Sequence, residues 1–398
     1  MDVEGTPRER GEQQGEHARS LVGPAIAALA TLPLFPGWMP AGARRGLVEA
    51  ASAVAGRVYL ARHRRLLDSR LGGRNLAWLS GMAATSGRAM HQLYGLNAFE
   101  LESAHLGFSY GCTSLGLAGR HTTDGRPRLV YNHDFQPAFG PFLRVRRSRP
   151  REGLRSLALT YPTLVGAVAG VNEAGLALSY NQAYATDLSR STPATFVTMV
   201  LQECLDRCRT VAEALEHVLA TPVTNGAMVT LVDASGDRAV VEVSAGLRLV
   251  RRERDERILY SFNKYRLEET SAVEVPVGAV TTGIAAGYDV HRCNLTREKR
   301  FLEMDQAPRD DAALFALMAD HDDGLGNEDS ICRHDDPMSE TILSAILDPT
   351  AGTIGAIFGR ACEGEPVTFA LGDEGERGLR VEAAAAMPME CASPSSPA

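Results

Sequence analysis

The stretch Gly111-Cys112-Thr113-Ser114 decides how this chain of 398 residues is interpreted. A thiol that directly follows a glycine can attack the preceding carbonyl, and hydrolysis of the resulting thioester then releases Cys112 as a new N-terminus. Glycine suits that position because it has no Cβ to obstruct the approach and tolerates a strained backbone. The released α-amine, with an ordinary pKa near ~8, can act as the base for its own thiol. From these four residues alone, a buried and unreactive cysteine is the alternative.

The composition predicts a soluble globular protein and excludes other classes. Hydrophobic residues make up 44% of the chain, enough for a large core in one or two domains. A net charge of −8 argues against general nucleic-acid binding. The cysteines number seven and are scattered, which favours free thiols in a reducing, cytoplasmic compartment. The apolar segment 21–40 contains three prolines after a leader of mixed charge, so we expect a helix and turn of the core there, not a membrane span.

The chain divides into a helical first part and a strand-rich second part. Residues 1–111 are predicted to be mostly helical and to pack, as a pro-segment, on a catalytic domain of residues 112–398. Two helical layers around two sheets is the architecture that fits. Helices are predicted at 41–66, 75–96, 296–305 and 310–320, and strands at 128–131, 156–160, 164–171, 176–180, 341–347 and 352–358.

Two local motifs have a direct physical explanation. Thr210-Val-Ala-Glu213 is a capping box that opens a helix ending before Pro222. The segment 233–237, Asp-Ala-Ser-Gly-Asp, joins two apolar runs into a hairpin, because Gly236 can take a positive φ. A third segment, 144–151, contains five arginines. It predicts a solvated loop or, alternatively, an attractive patch for an anionic substrate such as the phosphates of a CoA thioester.

Ordered sequence blocks extend over most of the chain. They are Gly5-Thr6-Pro7, Gly11-Glu-Gln-Gln-Gly15, Gly111-Cys112-Thr113-Ser114, Asn132-His133-Asp134-Phe135, and the segments 170–176, 233–236, 330–334 and 341–349. Together these blocks resemble the acyl-CoA:6-aminopenicillanate acyltransferase (isopenicillin-N acyltransferase) family. The resemblance implies an α+β fold, the four-layer αββα sandwich of cysteine N-terminal-nucleophile hydrolases. Choloylglycine hydrolases and penicillin V acylases are similar, more distant relatives without a long pro-segment.

The resemblance also implies roles for individual residues. Cys112 matches the nucleophile, which is generated by self-cleavage after Gly111. Asp134 matches the carboxylate that orients the nucleophile and its amine. Arg297 matches the arginine that pairs with this carboxylate, and Arg300 is the alternative.

Three further residues match substrate or oxyanion positions. Asn263 matches the oxyanion-hole asparagine, whose amide donor is worth roughly 3–4 kcal/mol in comparable sites. Asn181 matches a polar residue beside the substrate carbonyl in the bile-salt hydrolase relatives. Tyr131 stands where the hydrolase relatives have an arginine, and Lys264 follows Asn263 where histidine is expected. Because asparagine is common in turns, a purely structural role for both asparagines is the alternative.

Cys332, His334, His321 and Asp322 have the residue types of a zinc site. Their spacing matches no standard closed ligand set, and Cys332 and His334 fall inside one of the family blocks. We therefore expect no metal and no cofactor.

The sequence thus predicts a self-processing cysteine amidohydrolase or acyltransferase. It would cleave or transfer an acyl group from an amide or thioester through an acyl-cysteine intermediate. Water or an amine acceptor could resolve that intermediate, depending on how well the pocket excludes water. The two processed fragments are expected to stay associated, with no nucleic-acid or membrane partner. The alternative is an uncleaved, non-catalytic binding or scaffold protein with the same fold.

Overall fold

A computed structural model of the chain describes residues 1–32, 35, 38–69, 73–98, 111–187, 194–253, 257–279, 289–322, 324–334 and 339–372. The described part of residues 1–111 is mostly helical, as predicted. It contributes strand β1 (Asp2–Gly5) and helices α1 (Pro7–Ala18), α2 (Val22–Leu29), α3 (Ala41–Leu67), α4 (Gly73–Ser86) and α5 (Met90–Asn97).

Strands dominate the chain from residue 112 onward. They are β2 (Cys112–Leu117), β3 (Arg128–Phe135), β4 (Arg144–Pro150), β5 (Ser156–Thr160), β6 (Ala169–Asn172), β7 (Leu176–Gln182), β8 (Ala227–Asp233), β9 (Arg238–Val243), β10 (Arg248–Arg251), β11 (Leu259–Ser261), β12 (Glu340–Asp348), β13 (Thr353–Phe358) and β14 (Val367–Ala370). The helices are α6 (Val197–Arg207), α7 (Val211–Ala220), α8 (Glu268–Ser271), α9 (Arg292–Glu303) and α10 (Asp311–Met318).

Two sheets form the centre of the molecule. The larger has eight strands in the order β1-β4-β5-β6-β7-β8-β9-β10, and the smaller has six in the order β11-β2-β3-β12-β13-β14. The sheets face each other: the Ser114 hydroxyl of β2 lies 2.9 Å from the Ser179 hydroxyl of β7. Helices α6 and α7 pack on the outer face of the large sheet, and the Phe301 and Leu314 side chains of α9 and α10 pack against Leu115 on the small one. The fold is therefore the predicted α+β, four-layer αββα sandwich.

The local expectations hold in part at the two motifs with a physical explanation. The Thr210 hydroxyl accepts a hydrogen bond from the backbone N–H of Glu213 at 3.2 Å and opens α7. The Glu213 carboxylate accepts from the backbone N–H of Arg209 at 2.7 Å, so only half of the predicted capping box forms. Gly236 has a φ of +88° in the turn between β8 and β9, a conformation that glycine adopts without a Cβ penalty. The strand predicted at 164–171 begins only at Ala169, because residues 161–168 form turns and bends.

The arginine-rich segment 144–151 is not a solvated loop; that prediction is wrong. It is strand β4, which pairs with β1 on one side and β5 on the other. Arg146 is fully buried and donates hydrogen bonds to Gln14 and Gln202, while Arg147 pairs with Asp2 and Arg151 with Glu9. These three arginines are therefore bound within the protein and are not available as an open patch for anionic substrates.

The N-terminal segment is joined to the sandwich by backbone and side-chain contacts. Strand β1 pairs in parallel with β4 at the edge of the large sheet. Within the described residues, no helix combines the length and the apolar composition that crossing a bilayer requires. The assignment of residues 1–111 as a separate pro-segment stays a prediction.

A buried ion pair connects α1 to α6. The Arg10 guanidinium donates to the Asp206 carboxylate at 2.8 and 3.2 Å and to the Ser148 hydroxyl at 2.8 Å. It also lies over the Trp78 ring at 4.2 Å, and neither charged side chain is more than 2% exposed. Such a pair contributes little as a whole, but loss of one partner is costly because the other charge stays buried.

We expect Arg10→Ala to lower the free energy of unfolding by about 3–5 kcal/mol, because the buried Asp206 carboxylate loses its main partner. Urea denaturation followed by circular dichroism measures this loss. Arg8→Ala is the matched control, since Arg8 forms an exposed pair with Glu12 and its loss should cost no more than about 0.5 kcal/mol. Equal stability of the two variants would contradict the prediction.

Candidate active site

The first two strands of the small sheet bring the predicted nucleophile and carboxylate together. Cys112 is the first residue of β2 and lies opposite His133 of β3 in the antiparallel register. Asp134 follows directly and lies opposite Thr341 of β12. The register of three neighbouring strands therefore fixes the thiol and the carboxylate at the same end of the sheet.

Cys112 is held by contacts on both its backbone and its sulfur. Its backbone N–H donates to the Asn263 side-chain oxygen at 2.7 Å, and its Sγ lies 3.7 Å from the Tyr131 hydroxyl and 3.9 Å from His133 Nδ1. Burial, followed by the negative charge of Asp134, raises the pKa of the Cys112 thiol to about 12. In the uncleaved chain the thiol is therefore neutral near pH 7.

Arg297 of α9 links the backbone and side chains around Cys112. Its side chain has no exposed surface. Nη1 lies 3.4 Å from Asp134 Oδ2 and 3.0 Å from the carbonyl oxygen of Cys112, and Nη2 donates to the Asn263 oxygen at 3.0 Å. Arg300 instead pairs with Asp320 and Asp322 at 2.7 and 2.9 Å. The structure thus places Arg297, and not Arg300, beside Asp134.

The two asparagines contact Cys112 in different ways. Asn263 uses its oxygen to accept from the Cys112 N–H, and its Nδ2 donates to the carbonyl oxygen of Gln182 at 2.8 Å. Because an amide nitrogen carries two protons, one N–H of Asn263 can still meet a developing oxyanion. Asn181 Nδ2 points at three backbone carbonyls, those of Cys112, Ser261 and Phe262, at 2.8–3.3 Å. Asn181 therefore holds strand ends together in this state.

A chain of polar rings runs from the sulfur toward a pocket, and the sequence analysis singled out only Tyr131 among its members. His133 Nδ1 lies 2.9 Å from the Tyr131 hydroxyl, and His133 Nε2 lies 2.9 Å from the Tyr161 hydroxyl. Burial lowers the pKa of the His133 imidazole to about 3, so the ring is neutral at physiological pH. Tyr131 donates to the carbonyl oxygen of Tyr180, and an Nδ1–H tautomer of His133 would donate to Tyr131 in turn. The presence of His133 inside a family block was the available signal.

Two further residues complete the surroundings of Asp134 and Gly111. The Thr341 hydroxyl donates to Asp134 Oδ1 at 2.7 Å, and it accepts from the backbone N–H of Arg333. A Cβ placed on Gly111 would lie 2.4 Å from Arg333 Nη1 and 2.6 Å from Asp134 Oδ2. A side chain at residue 111 would therefore displace charged groups of the site, which explains the glycine. Thr341 and Arg333 also belong to family blocks, but nothing in their sequence context revealed these contacts.

An apolar pocket opens beside the ring chain. Its empty volume, including space open to solvent, is about 630 Å³. Tyr161 and Phe135 form one side, and Ala25 and Leu29 of α2 form another. The pocket thus lies next to His133. Two hydrogen bonds connect Tyr161 in its wall through His133 to Tyr131, whose hydroxyl contacts the Cys112 sulfur. Its lining suits the apolar chain or ring of an acyl group.

A second group of chemically active side chains lies outside this site. Four side chains come together there, those of His321, Cys332, His334 and Cys362. Asp322 instead forms an ion pair with Arg300. These four residues have the donor atoms of a metal site.

Several solved structures share a general likeness with the chain. A Caenorhabditis elegans N-acylethanolamine-hydrolyzing acid amidase ortholog is 12% identical, with a TM-score of 0.41 over 60% of this chain and 93% of that one. A conjugated bile acid hydrolase from Clostridium perfringens is 13% identical, with a TM-score of 0.37 over 65% and 96%. Penicillin V acylase from Agrobacterium tumefaciens is 16% identical, with a TM-score of 0.38 over 62% and 82%. Likenesses this low establish nothing about activity or substrate.

No curated protein sequence matches the chain. A sequence model of one family, described as acyl-coenzyme A:6-aminopenicillanic acid acyl-transferase, matches residues 121–362. The matched segment begins after Cys112 but contains Asp134, Asn263 and Arg297, and it spans more than half of the chain. The chain therefore belongs to the acyl-coenzyme A:6-aminopenicillanic acid acyl-transferase family, a family of enzymes.

Proposed function

We propose that the chain is a self-processing cysteine amidohydrolase or acyltransferase, with Cys112 as its nucleophile after cleavage behind Gly111. One observation carries the proposal. Both backbone polar groups of Cys112 are bound by buried side chains, its N–H by Asn263 and its carbonyl by Arg297, and Arg297 also faces Asp134. A side-chain set of this kind fixes the nitrogen and the sulfur of one residue as a unit, as a nucleophile with its own amine base requires.

The processing step transfers the Gly111 acyl group within the chain. The Cys112 sulfur attacks the Gly111 carbonyl, and the thiol proton passes to the departing nitrogen as the C–N bond breaks. Water then hydrolyses the thioester, which leaves a carboxylate on Gly111 and a free α-amine on Cys112. Asp134 and Arg333 lie beside Gly111 and supply fixed charges at the point of cleavage.

Turnover would use the same atoms on an external substrate. The α-amine of Cys112 accepts the thiol proton, the sulfur attacks an amide or thioester carbonyl, and the second N–H of Asn263 stabilises the oxyanion. The ammonium group then returns the proton to the leaving group. Water or an amine attacks the acyl-cysteine in a second step. Burial and the charge of Asp134 raise the pKa of the sulfur, and the positive charge of Arg297 opposes part of that rise.

The pocket beside Tyr161 supports a substrate with an apolar acyl group. Its walls come from the sandwich on one side and from Ala25 and Leu29 on the other. Three arginines of the segment 144–151, namely Arg146, Arg147 and Arg151, are bound within the protein and offer no comparable support for binding the phosphates of a CoA thioester. A reducing, cytoplasmic setting remains our prediction, and it agrees with the need for a free thiol at residue 112.

A non-catalytic scaffold is the competing function. Against it stands the zero exposure of both Asp134 and Arg297, because an isolated buried ion pair is costly and a binding protein would have no use for one beside a thiol.

The first test is the Cys112→Ala variant on a denaturing gel. Cleavage of the 398-residue, 42.7 kDa wild-type chain after Gly111 should give fragments of about 12 and about 31 kDa. Cys112→Ala should stay at full length and lack acyl-transfer and hydrolase activity, because no sulfur attacks residue 111. Cys208→Ser, which replaces another buried cysteine, should be processed normally. A wild-type chain that stays intact and inactive would support the scaffold instead.

The second test separates the two arginines of α9. Arg297→Gln should slow turnover of amide or thioester substrates at least about 100-fold, since it removes a charge and several donors around Cys112. Arg300→Gln, one turn further along the same helix, should keep kcat within about threefold, because the ion pairs of Arg300 are formed with Asp320 and Asp322 and not with Asp134. Single-turnover kinetics with purified variants measure both rates. Similar rates for the two variants would rule out the assigned role of Arg297.

A third test concerns the pocket. Ala25→Phe should raise KM for long-chain acyl donors about tenfold and leave short-chain donors nearly unchanged, because the new ring fills space at the pocket wall. Ala27→Phe on the same helix is the control, as Ala27 does not line the pocket. Steady-state kinetics on donors of increasing chain length give the comparison. An equal effect on all chain lengths would exclude the pocket as the acyl site.

A further inference from the structure

Four side chains from separate parts of the sequence meet near one end of the small sheet. His321 follows α10, Cys332 and His334 precede β12, and Cys362 follows β13. One potential ligand atom from each lies within 4.8 Å of all the others. The sequence spacing gave no sign of this group, because the fold supplies Cys362 from a different strand connection.

The distances within the group fit a tetrahedral ion. The two sulfurs of Cys332 and Cys362 are 3.8 Å apart, and His334 Nε2 lies 3.5 and 3.2 Å from them. With Zn–S near 2.3 Å and Zn–N near 2.0–2.1 Å, the edges of a tetrahedron are about 3.8 Å between two sulfurs and about 3.5 Å between sulfur and nitrogen. The three observed separations lie within about 0.3 Å of these values.

His321 supplies the fourth donor. Its ring meets the His334 ring edge-on with centroids 4.6 Å apart. Its Nε2 is shielded from solvent and has no hydrogen-bond partner among the described residues. A buried imidazole nitrogen without a partner is costly, and coordination to a metal would satisfy it.

We propose that His321, Cys332, His334 and Cys362 form a closed Cys2His2 site for Zn²⁺. Two thiolates and two imidazoles are soft and borderline donors, which bind zinc in preference to magnesium or calcium. Four protein ligands leave no open position, so the ion would be structural. This replaces the expectation of no metal, which rested on the spacing and on the position of Cys332 and His334 inside a family block. A disulfide between the two cysteines is the competing outcome, but it would use neither histidine.

The site would hold a loop that reaches the cleavage point. Cys332 and His334 flank Arg333, and Arg333 lies beside Gly111 and donates to the Ser339 hydroxyl at 3.3 Å. Asn132 of β3 donates to the carbonyl oxygen of Ile331 in the same loop. Zinc at residues 332 and 334 would therefore fix the backbone on both sides of Arg333.

The test is the metal content of the full chain, whether cleaved or not, expressed with added zinc and dialysed against a weak chelator. Elemental mass spectrometry should find about one zinc ion per wild-type chain. Cys362→Ser and His321→Gln should each reduce the content at least about tenfold. Cys208→Ser and His91→Gln are matched controls outside the group and should retain it. Because Cys362 is exposed, its replacement by serine should leave the fold intact.

A second measurement on the wild-type chain does not depend on any variant. Replacement of zinc by Co²⁺ should give the intense visible bands of a tetrahedral ion and a thiolate charge-transfer band. Alkylation of Cys332 and Cys362 should proceed only after a strong chelator is added. The proposal is overturned by a wild-type chain without zinc whose two thiols are alkylated freely or found as a disulfide by peptide mass spectrometry. Retention of zinc by Cys362→Ser would overturn it as well.

Discussion

The structure around Cys112 depends on one buried cation. The Arg297 guanidinium has no access to water, so each of its donors must find an acceptor within the protein. It finds them on Asp134, on the carbonyl of Cys112 and on Asn263, which lie on β3, on β2 and in the segment after β11. Removal of Asp134 would leave the cation without its counter-charge in a medium of low dielectric constant, and removal of Asn263 would take one acceptor from a buried donor. The interaction therefore couples the geometry of the small sheet to the position of helix α9.

The two sheets position the other parts of the candidate site around this cation. The small sheet presents Cys112 and Asp134 at one end, and the large sheet supports them from behind through contacts such as Ser114 to Ser179. Polar contacts between two sheets are unusual in an apolar sandwich and mark the region where the site lies. The ring chain of Tyr131, His133 and Tyr161 then carries the polar network outward to an apolar pocket. The proposed nucleophile Cys112, the Asp134 carboxylate and the apolar pocket thus lie along one continuous polar network.

The sequence was sufficient for the fold class, because the class depends on ordered blocks and on period. It also named Asp134, Asn263 and Arg297, which the structure gathers around Cys112, while their catalytic roles stay predictions. It could not separate Arg297 from Arg300, since both lie on one helix and the buried face of α9 mixes Cys293 and Asn294 with Phe301 instead of showing an apolar stripe. The strand β4 was missed for a related reason. Its buried Arg146 is compensated by distant partners, and charge alone suggested exposure. Cys362 joined a cluster only through the pairing of β12 with β13.

The pairing of β1 with β4 would affect how the protein assembles and refolds after the proposed cleavage. Residues 2–5 form part of the large sheet, and α1 and α2 lie against the sandwich and the pocket. A break after Gly111 would turn one polypeptide into a tightly interlocked heterodimer whose smaller subunit still forms a wall of the substrate pocket. Assembly of the uncut precursor is a first-order event, whereas recovery of the cut form from denaturant would be second-order and would slow on dilution. The intact chain would then fold at a rate independent of concentration, whereas its two fragments would reassemble only at high concentration.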